Sequence, residues 1–240
     1  MIRGIYTTAA ALATTTLRLG VVSNNVANAS TTGYKGQHIA FAQFLSQTSD
    51  GTPIAYVQEQ GVSRDPSQGT INTTNNRLDV AIRGEGYFTV QTPLGDRYTR
   101  NGHFQLDSSG QIVTSQGYPV LSDGGSPLVV PQGSGEITIG GDGSVSTLQA
   151  QIGKLGLVTF PDQMAMTETS GGYFTTDQPT QPAPDATRLM QGSLEGSNIE
   201  PIIEITRLIG SQHNVEYSKT FVDVLAQQTS TAIDHLGKAP

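Results

Sequence analysis

A chain of 240 residues can form one large domain or two modest ones, each with its own core. Its net charge of −7 argues against a nucleic-acid binder, which needs a basic face, and the absence of cysteine excludes disulfides and thiolate metal sites. Apolar content of 35% and aromatic content of 6% are low for a compact enzyme, yet too high for a fully disordered chain.

The chain opens with MIRGIYTTAAALATTTLRLG. Threonines break the would-be apolar core of a signal peptide, and no apolar run in the sequence is long enough to span a bilayer. Ile5, Leu12, Leu19 and Val26 recur every seven residues, which predicts a helix with one narrow apolar stripe. SNNVANASTTGYKG follows, from Ser23 to Gly36. The amides of Asn24, Asn25 and Asn28 predict a helix stop, with side chains bonding to backbone in the turn beyond it. Gly33, just before Tyr34, predicts a reversal that needs left-handed backbone. Residues 1–36 thus form a helix and an asparagine-rich turn. Residues 37–76, rich in Gln, Ser, Thr and Gly, read as a linker.

From 77 to 176 the pattern changes to short alternating runs separated by turns. LDVAIRG, GYFTVQT, DRYTRNGHFQL, QIVTSQGYPVL, PLVVP, EITIGGDGSVSTL and KLGLVTF read as strands, and Leu94–Gly95–Asp96, Ser108–Ser109–Gly110 and Gly140–Gly141–Asp142–Gly143 as hairpin turns. TTDQPTQPAPDAT, from Thr175 to Thr187, reads as proline-stiffened, and residues 177–193 are read as a second linker. A second helix is predicted within 194–240, with Pro201 in its first turn, Ser197 and Asn198 as caps and Gly237 as its stop. Leu208, Val215, Val222 and Leu236 repeat the seven-residue spacing, Leu225 and Ala232 form a second row, and Ile202, Ile205 and Ile209 thicken the start. The fold class is therefore mainly β, an antiparallel domain inserted between two heptad-patterned terminal helices.

Each stripe is too narrow for a globular core and suits a seam for another helix. The first 49 residues carry Arg3, Arg18 and Lys35 and no acid, while Glu195, Glu200, Glu204, Glu216, Asp223 and Asp234 outnumber Arg207, Lys219 and Lys238 at the other end. Such helices can pair with each other or with copies, or can pack as ordinary amphipathic helices on one core.

Catalytic chemistry finds little support. His38, His103, His213 and His235 make no H-E-x-x-H, and no serine sits in G-x-S-x-G. Gly84–Glu85–Gly86 precedes a strand where a phosphate loop needs a helix, and GGDGSVSTL is a single copy of a pattern that binds calcium only when repeated. No metal and no cofactor is expected. A glycosidase carboxylate pair stays open, but there is no tryptophan to line a sugar cleft.

Ser23 to Lys35 resembles the N-terminal signature of the bacterial flagellar rod and hook axial proteins, S-N-N-x-A-N-x-x-T-x-G-aromatic-basic. Leu78 to Leu121, with Tyr98–Thr99–Arg100–Asn101–Gly102, and Gly192 to Ile209 resemble the family's central β signature and its entry into the last helix. Within the family, the short interval from Lys35 to Leu78 and the EGSNIEP stretch are similar to the proximal rod type, with the distal rod type as the alternative. The resemblance implies a non-enzymatic subunit of the flagellar rod in the basal body, polymerising into a hollow, torque-carrying shaft across the periplasm. It implies other rod subunits, copies of the chain and the flagellar export apparatus as partners, export without a cleaved signal, and no membrane insertion. The assembly residues are then Ile5, Leu12, Leu19, Asn24, Asn25, Val26, Asn28, Gly33, Tyr34, Leu208, Val215, Val222, Leu225 and Leu236. A secreted carbohydrate-active or adhesin-like protein is the reading from another class. On the rod reading the terminal segments are poorly ordered in the free monomer, and replacing Gly33 harms the filament while sparing the monomer.

Overall fold

The computed structural model of the protein describes residues 2–47 and 53–236. In chain order these form helix α1 (Ile2–Ala27), a hairpin of β1 (Gln37–Gln47) and β2 (Pro53–Arg64), a series of short strands, and helix α2 (Pro201–Leu236). The short strands are β3 (Ile71–Thr73), β4 (Val80–Arg83), β5 (Tyr87–Thr92), β6 (Gly95–Thr99), β7 (Phe104–Leu106), β8 (Ile112–Thr114), β9 (Ile137–Ile139), β10 (Ser144–Thr147), β11 (Gln151–Lys154), β12 (Leu157–Thr159), β13 (Thr167–Thr169), β14 (Tyr173–Thr175), β15 (Gln181–Pro182), β16 (Arg188–Gln191) and β17 (Ser193–Glu195). All strand pairs are antiparallel. The chain divides into two units. One holds Met1–Ala27, Gln37–Arg64 and Ile199–Pro240; the other holds Asn28–Gly36 and Asp65–Asn198.

The second unit is built on a six-stranded sheet in the order β13-β14-β6-β5-β12-β15. Successive side chains of a strand point to opposite faces, and central β5 is buried on both. Phe88 and Val90 join Val80, Ile82, Phe104, Ile112 and Val120 in the main core. Tyr87, from the other face, packs with Phe160, Met166 and Phe174 in a smaller one. Several expected strands come out differently; QIVTSQGYPVL keeps only β8, and KLGLVTF divides between β11 and β12. DRYTRNGHFQL is split after Thr99, because the Thr99 hydroxyl accepts the Asn101 N–H at 3.0 Å and the Asn101 amide oxygen accepts the His103 N–H at 3.0 Å. These side-chain turns compete with the ladder. PLVVP makes isolated bridges through Pro127 and Val129, its flanking prolines having no N–H to give a ladder.

Both stretches read as linkers carry pairing. Residues 37–76 contain the β1–β2 hairpin and β3, which pairs with β17. Residues 177–193 contain β15, paired with β12, and β16, paired with β4. In 177–193 the proline-rich composition that suggested a linker is that of a short strand at a sheet edge, where proline is tolerated; Pro182 sits on the outermost strand of its sheet.

In the helix–hairpin unit, α1 and α2 pack against each other. Leu12, Thr15, Leu19, Val22 and Val26 of α1 are buried or half-buried at alternating spacings of three and four. Among the described side chains of α2, only Glu204, Leu208, Ser211, Val215, Ser218 and Val222 are not exposed. The heptad row of Leu208, Val215 and Val222 is thus on the seam, beside a row of Glu204, Ser211 and Ser218 that the apolar pattern could not reveal. The side chains of Ile5, Leu225, Ala232 and Leu236, and the stop at Gly237, lie outside the described residues.

Candidate assembly site

The asparagines do not end α1 where the sequence suggested. The helix runs through Asn24, Asn25 and Val26 to Ala27. Asn25 is 3% exposed and faces inward. Its amide oxygen accepts the Gln37 N–H at 2.9 Å and its Nδ2 donates to the Gln37 carbonyl at 2.8 Å. One side chain thereby offers the first residue of β1 the donor and acceptor that a neighbouring strand would give. Nδ2 also lies 3.4 Å from Oε2 of Glu204, the buried acid of the α2 seam, whose Oε1 accepts from Arg207 at 2.5 Å. Asn24 is exposed. Asn28 starts the turn, its carbonyl accepting the Thr31 N–H at 3.0 Å and its side-chain oxygen the Thr31 hydroxyl at 3.1 Å.

Gly33 has the left-handed backbone its position predicted, with φ of 70°. The expectation that its replacement spares the monomer needs revision. A β-carbon here would stand 2.7 Å from the Arg100 carbonyl carbon and 2.8 Å from the Asn101 nitrogen, and the Gly33 N–H donates to the Glu195 carbonyl at 2.8 Å. All of these groups belong to the β-rich unit.

Tyr34 and Lys35 are buried. The Tyr34 carbonyl accepts the Asn198 N–H at 3.4 Å. Lys35 Nζ donates to the Ser67 carbonyl and to Glu195 Oε1, both at 2.6 Å. Arg100 reaches Glu195 Oε2 at 3.2 Å and the Gly84 carbonyl at 2.9 Å, and its guanidinium lies over the Tyr87 ring. The Gly69 N–H completes the set on Glu195 Oε1 at 3.1 Å. One buried carboxylate therefore serves two buried cations. Burial pulls the Lys35 pKa below the ordinary lysine value, and attraction to Glu195 opposes that fall.

Asn198, expected as a helix cap, is used elsewhere. Its side-chain oxygen accepts the Gly36 N–H at 2.7 Å, and its Nδ2 donates to the Asp65 and Ser67 carbonyls, each at 3.2 Å. The helix begins three residues later, at Pro201, which lies in its first turn as predicted.

Glu195, Arg100 and Asn198 were not among the candidate residues. For the first the alternation misleads: Leu194 is the apolar residue of Ser193-Leu194-Glu195, yet the structure buries the two ends and leaves the middle half-buried. For Asn198 there was no signal, since its partners are remote in sequence.

On the helices, Leu12, Leu19, Val26, Leu208, Val215 and Val222 are all half-buried. Ile202, Ile205 and Ile209 do not thicken this seam. With 3.6 residues per turn Ile202 and Ile209 fall on the opposite side of α2, together with Tyr217 and Val224, with Ile205 and Phe221 at its two margins. All six are exposed, Ile202 at 80% and Tyr217 at 72%.

His103 Nδ1 lies 2.7 Å from Asp79, which also accepts from Thr74 at 2.7 Å and Asn76 at 3.0 Å. Among the described residues no cluster of three His, Asp or Glu side chains could hold a metal, and no helix is long and apolar enough to cross a membrane.

Comparison with known proteins agrees with this architecture. The family described as flagella basal body rod protein matches residues 5–35, and the flagellar hook protein FlgE/F/G D1 domain matches residues 81–147. The flagellar basal-body rod protein FlgF of Caulobacter vibrioides is 39% identical over 92% of both chains. FlgF of Rhizobium meliloti is 34% identical over 86% of both, and the rod protein FlgG of Bacillus subtilis 30% identical over 92% of this chain and 94% of its own. These relatives do not favour a carbohydrate-active or adhesin-like reading. On this similarity across nearly the whole chain, with matches at both the asparagine turn and the β-rich unit, the chain belongs to the flagellar basal-body rod protein family and is a structural rod subunit of the basal body.

Proposed function

We propose that this subunit polymerises through α1 and α2, and that neighbours in the shaft cover the apolar side of α2 that α1 leaves open. The observation that carries this reading is the row Ile202, Ile205, Ile209, Tyr217 and Val224 with Phe221, all exposed on the side away from the seam. Full burial of one such side chain stabilises by roughly 1.5–3 kcal/mol. A soluble helix has little reason to keep six of them in water, and a helix that is apolar on opposite sides is suited to a core with partners on both. Contacts that do not close on themselves generate a filament.

The partners are other rod subunits and further copies of the chain, delivered by the flagellar export apparatus without a cleaved signal. Hollowness, torque transmission and passage across the periplasm follow from membership in such a shaft. The asparagine turn, on this reading, sets the path of the chain between the helix and the β-rich unit. With FlgF taken as the proximal rod type and FlgG as the distal one, a proximal position is favoured by the higher identity to the FlgF relative than to the FlgG relative.

The test is Ile205→Asp. The purified variant should melt like the natural chain, while swimming in soft agar and the number of hook-bearing basal bodies fall sharply. Normal swimming at normal export would overturn the reading. Antibody labelling of isolated basal bodies should place the chain towards the inner-membrane end; label at the opposite end would assign it to the distal rod.

A further inference from the structure

A cavity of about 470 Å³ opens between α1, α2 and the start of β1, entirely within the helix–hairpin unit. Its volume lies in the range of pockets that hold drug-sized ligands, roughly 300–1,000 Å³. Val21, Val22 and Ile39 give it apolar walls. Ser211 lines it as well, is only 4% exposed, and its hydroxyl has no hydrogen-bond partner among the described residues. That hydroxyl can donate to or accept from an incoming group. Arg18 and Arg207 stand at the cavity with Glu204, so its charged side chains sum to a positive balance.

The same chain carries a group that matches. Tyr217 and Phe221 project from α2 one turn apart and are exposed, in a stretch where the carboxylates Glu216 and Asp223 outnumber Lys219. Tyrosine combines an apolar ring with a hydroxyl that seeks a partner when buried, which is what a cavity of apolar walls and one unpartnered hydroxyl requires. The acids beside the aromatic pair complement the arginines.

We propose that this cavity receives the Tyr217–Phe221 pair of a second copy of the chain, with that copy's Tyr217 hydroxyl meeting Ser211. The contact is heterologous, one copy offering the cavity and the next the aromatic pair, so it propagates rather than closing into a dimer. The inference rests on the reading of the chain as a polymerising subunit.

The chain has no cysteine, so introduced thiols are the only ones present. Gly210→Cys places one at the cavity, where a β-carbon meets nothing within 4 Å, and Thr220→Cys places one beside the aromatic pair at an exposed position. Ten helical residues separate them by about 15 Å, beyond the ~7 Å between α-carbons that a disulfide spans. Any bond joining the two is therefore between chains. Basal bodies from a strain carrying the double variant are oxidised gently and run on a non-reducing gel. The expected result is a ladder at multiples of 25.3 kDa, beyond dimers, with monomer alone from each single variant. Adding Tyr217→Ala should cut the ladder at least about tenfold, as for an interfacial aromatic anchor.

Monomer alone from basal bodies that contain the double variant would overturn the proposal. So would cross-linking in a single variant, or a product joining the chain to a different basal-body protein. Absence of the natural chain from basal bodies is scored separately, without thiols, and would remove the rod reading and this proposal with it.

Discussion

The two units are finished to different degrees. In the β-rich unit, Val80, Ile82, Phe88, Val90 and Val120 have no exposed surface, and even charged groups are enclosed with their partners. In the helix–hairpin unit the described leucines and valines of the seam are mostly half-buried, one row of the seam is polar, and apolar residues stand in water on the far side of α2. The β-rich unit encloses its core within one chain, and leaves Thr89 Oγ1 and Arg100 Nε as buried atoms without a hydrogen-bond partner among the described residues. The second has the composition of a core with its neighbours missing. Changes in the β-rich unit should therefore register in the monomer, and changes on the helices mainly in the assembly.

The largest effect is expected at Glu195. Glu195→Ala leaves Lys35 and Arg100 buried without their shared carboxylate, and breaking a buried pair in this way costs about 3–5 kcal/mol. Urea unfolding of the purified chain, followed through the tyrosines of the β-rich unit, should show that loss. A cost under about 1 kcal/mol would mean that the cations find other partners and that this unit is less closed than its burial implies.

Gly33→Val comes next. Left-handed backbone at a β-branched residue costs on the order of 1–3 kcal/mol, and the close approach of the Arg100 and Asn101 backbone adds to it. The monomer's melting temperature should fall. Unchanged melting with failed assembly would restore the expectation drawn from the sequence, that this turn matters only in the filament.

That reversal illustrates what the sequence could and could not convey. The seven-residue spacing of Leu12, Leu19, Leu208, Val215 and Val222 expressed a seam because helical period alone places those residues on one side. The left-handed conformation of Gly33 was legible because only glycine adopts it without strain. The contacts of Gly33 with Arg100, and of Asn198 with Gly36 and Asp65, join residues far apart in the chain and leave no local pattern. The strands within 37–76 and 177–193 were missed for a related reason. Short polar strands such as β3 and β15 have the composition of a linker, and only their partners identify them.

A smaller effect is expected from Asn25→Ala, on the helix side of the comparison. It removes both hydrogen bonds to Gln37, a loss of about 1–3 kcal/mol to local structure. Amide hydrogen exchange at Gln37 should accelerate, while the unfolding transition of the β-rich unit stays in place. A shift of that transition equal to the one from Glu195→Ala would show the two units to be one cooperative body.

The smallest effect concerns alkaline pH. Burial holds the Lys35 pKa below 10.5, so between that depressed value and 10.5 the unfolded chain binds more protons than the folded one. Stability contributed by this group must then rise with pH across that window, because the cost of enclosing a charged amine disappears as the amine becomes neutral in the folded state. Tyr98 and Tyr173 act in the opposite sense. Burial raises their pKa above 10.0, so as pH climbs past 10.0 the unfolded chain loses protons that the folded chain keeps, and stability falls. The net curve mixes these signs, and the informative quantity is a difference. Unfolding free energies of the natural chain and of Lys35→Met, measured in urea from pH 8 to 10, should diverge with rising pH in favour of the natural chain, since the tyrosines are common to both. A difference that stays flat, or that shrinks, would mean that attraction to Glu195 outweighs burial at Lys35, and that the most enclosed cation of the β-rich unit is held at no electrostatic cost.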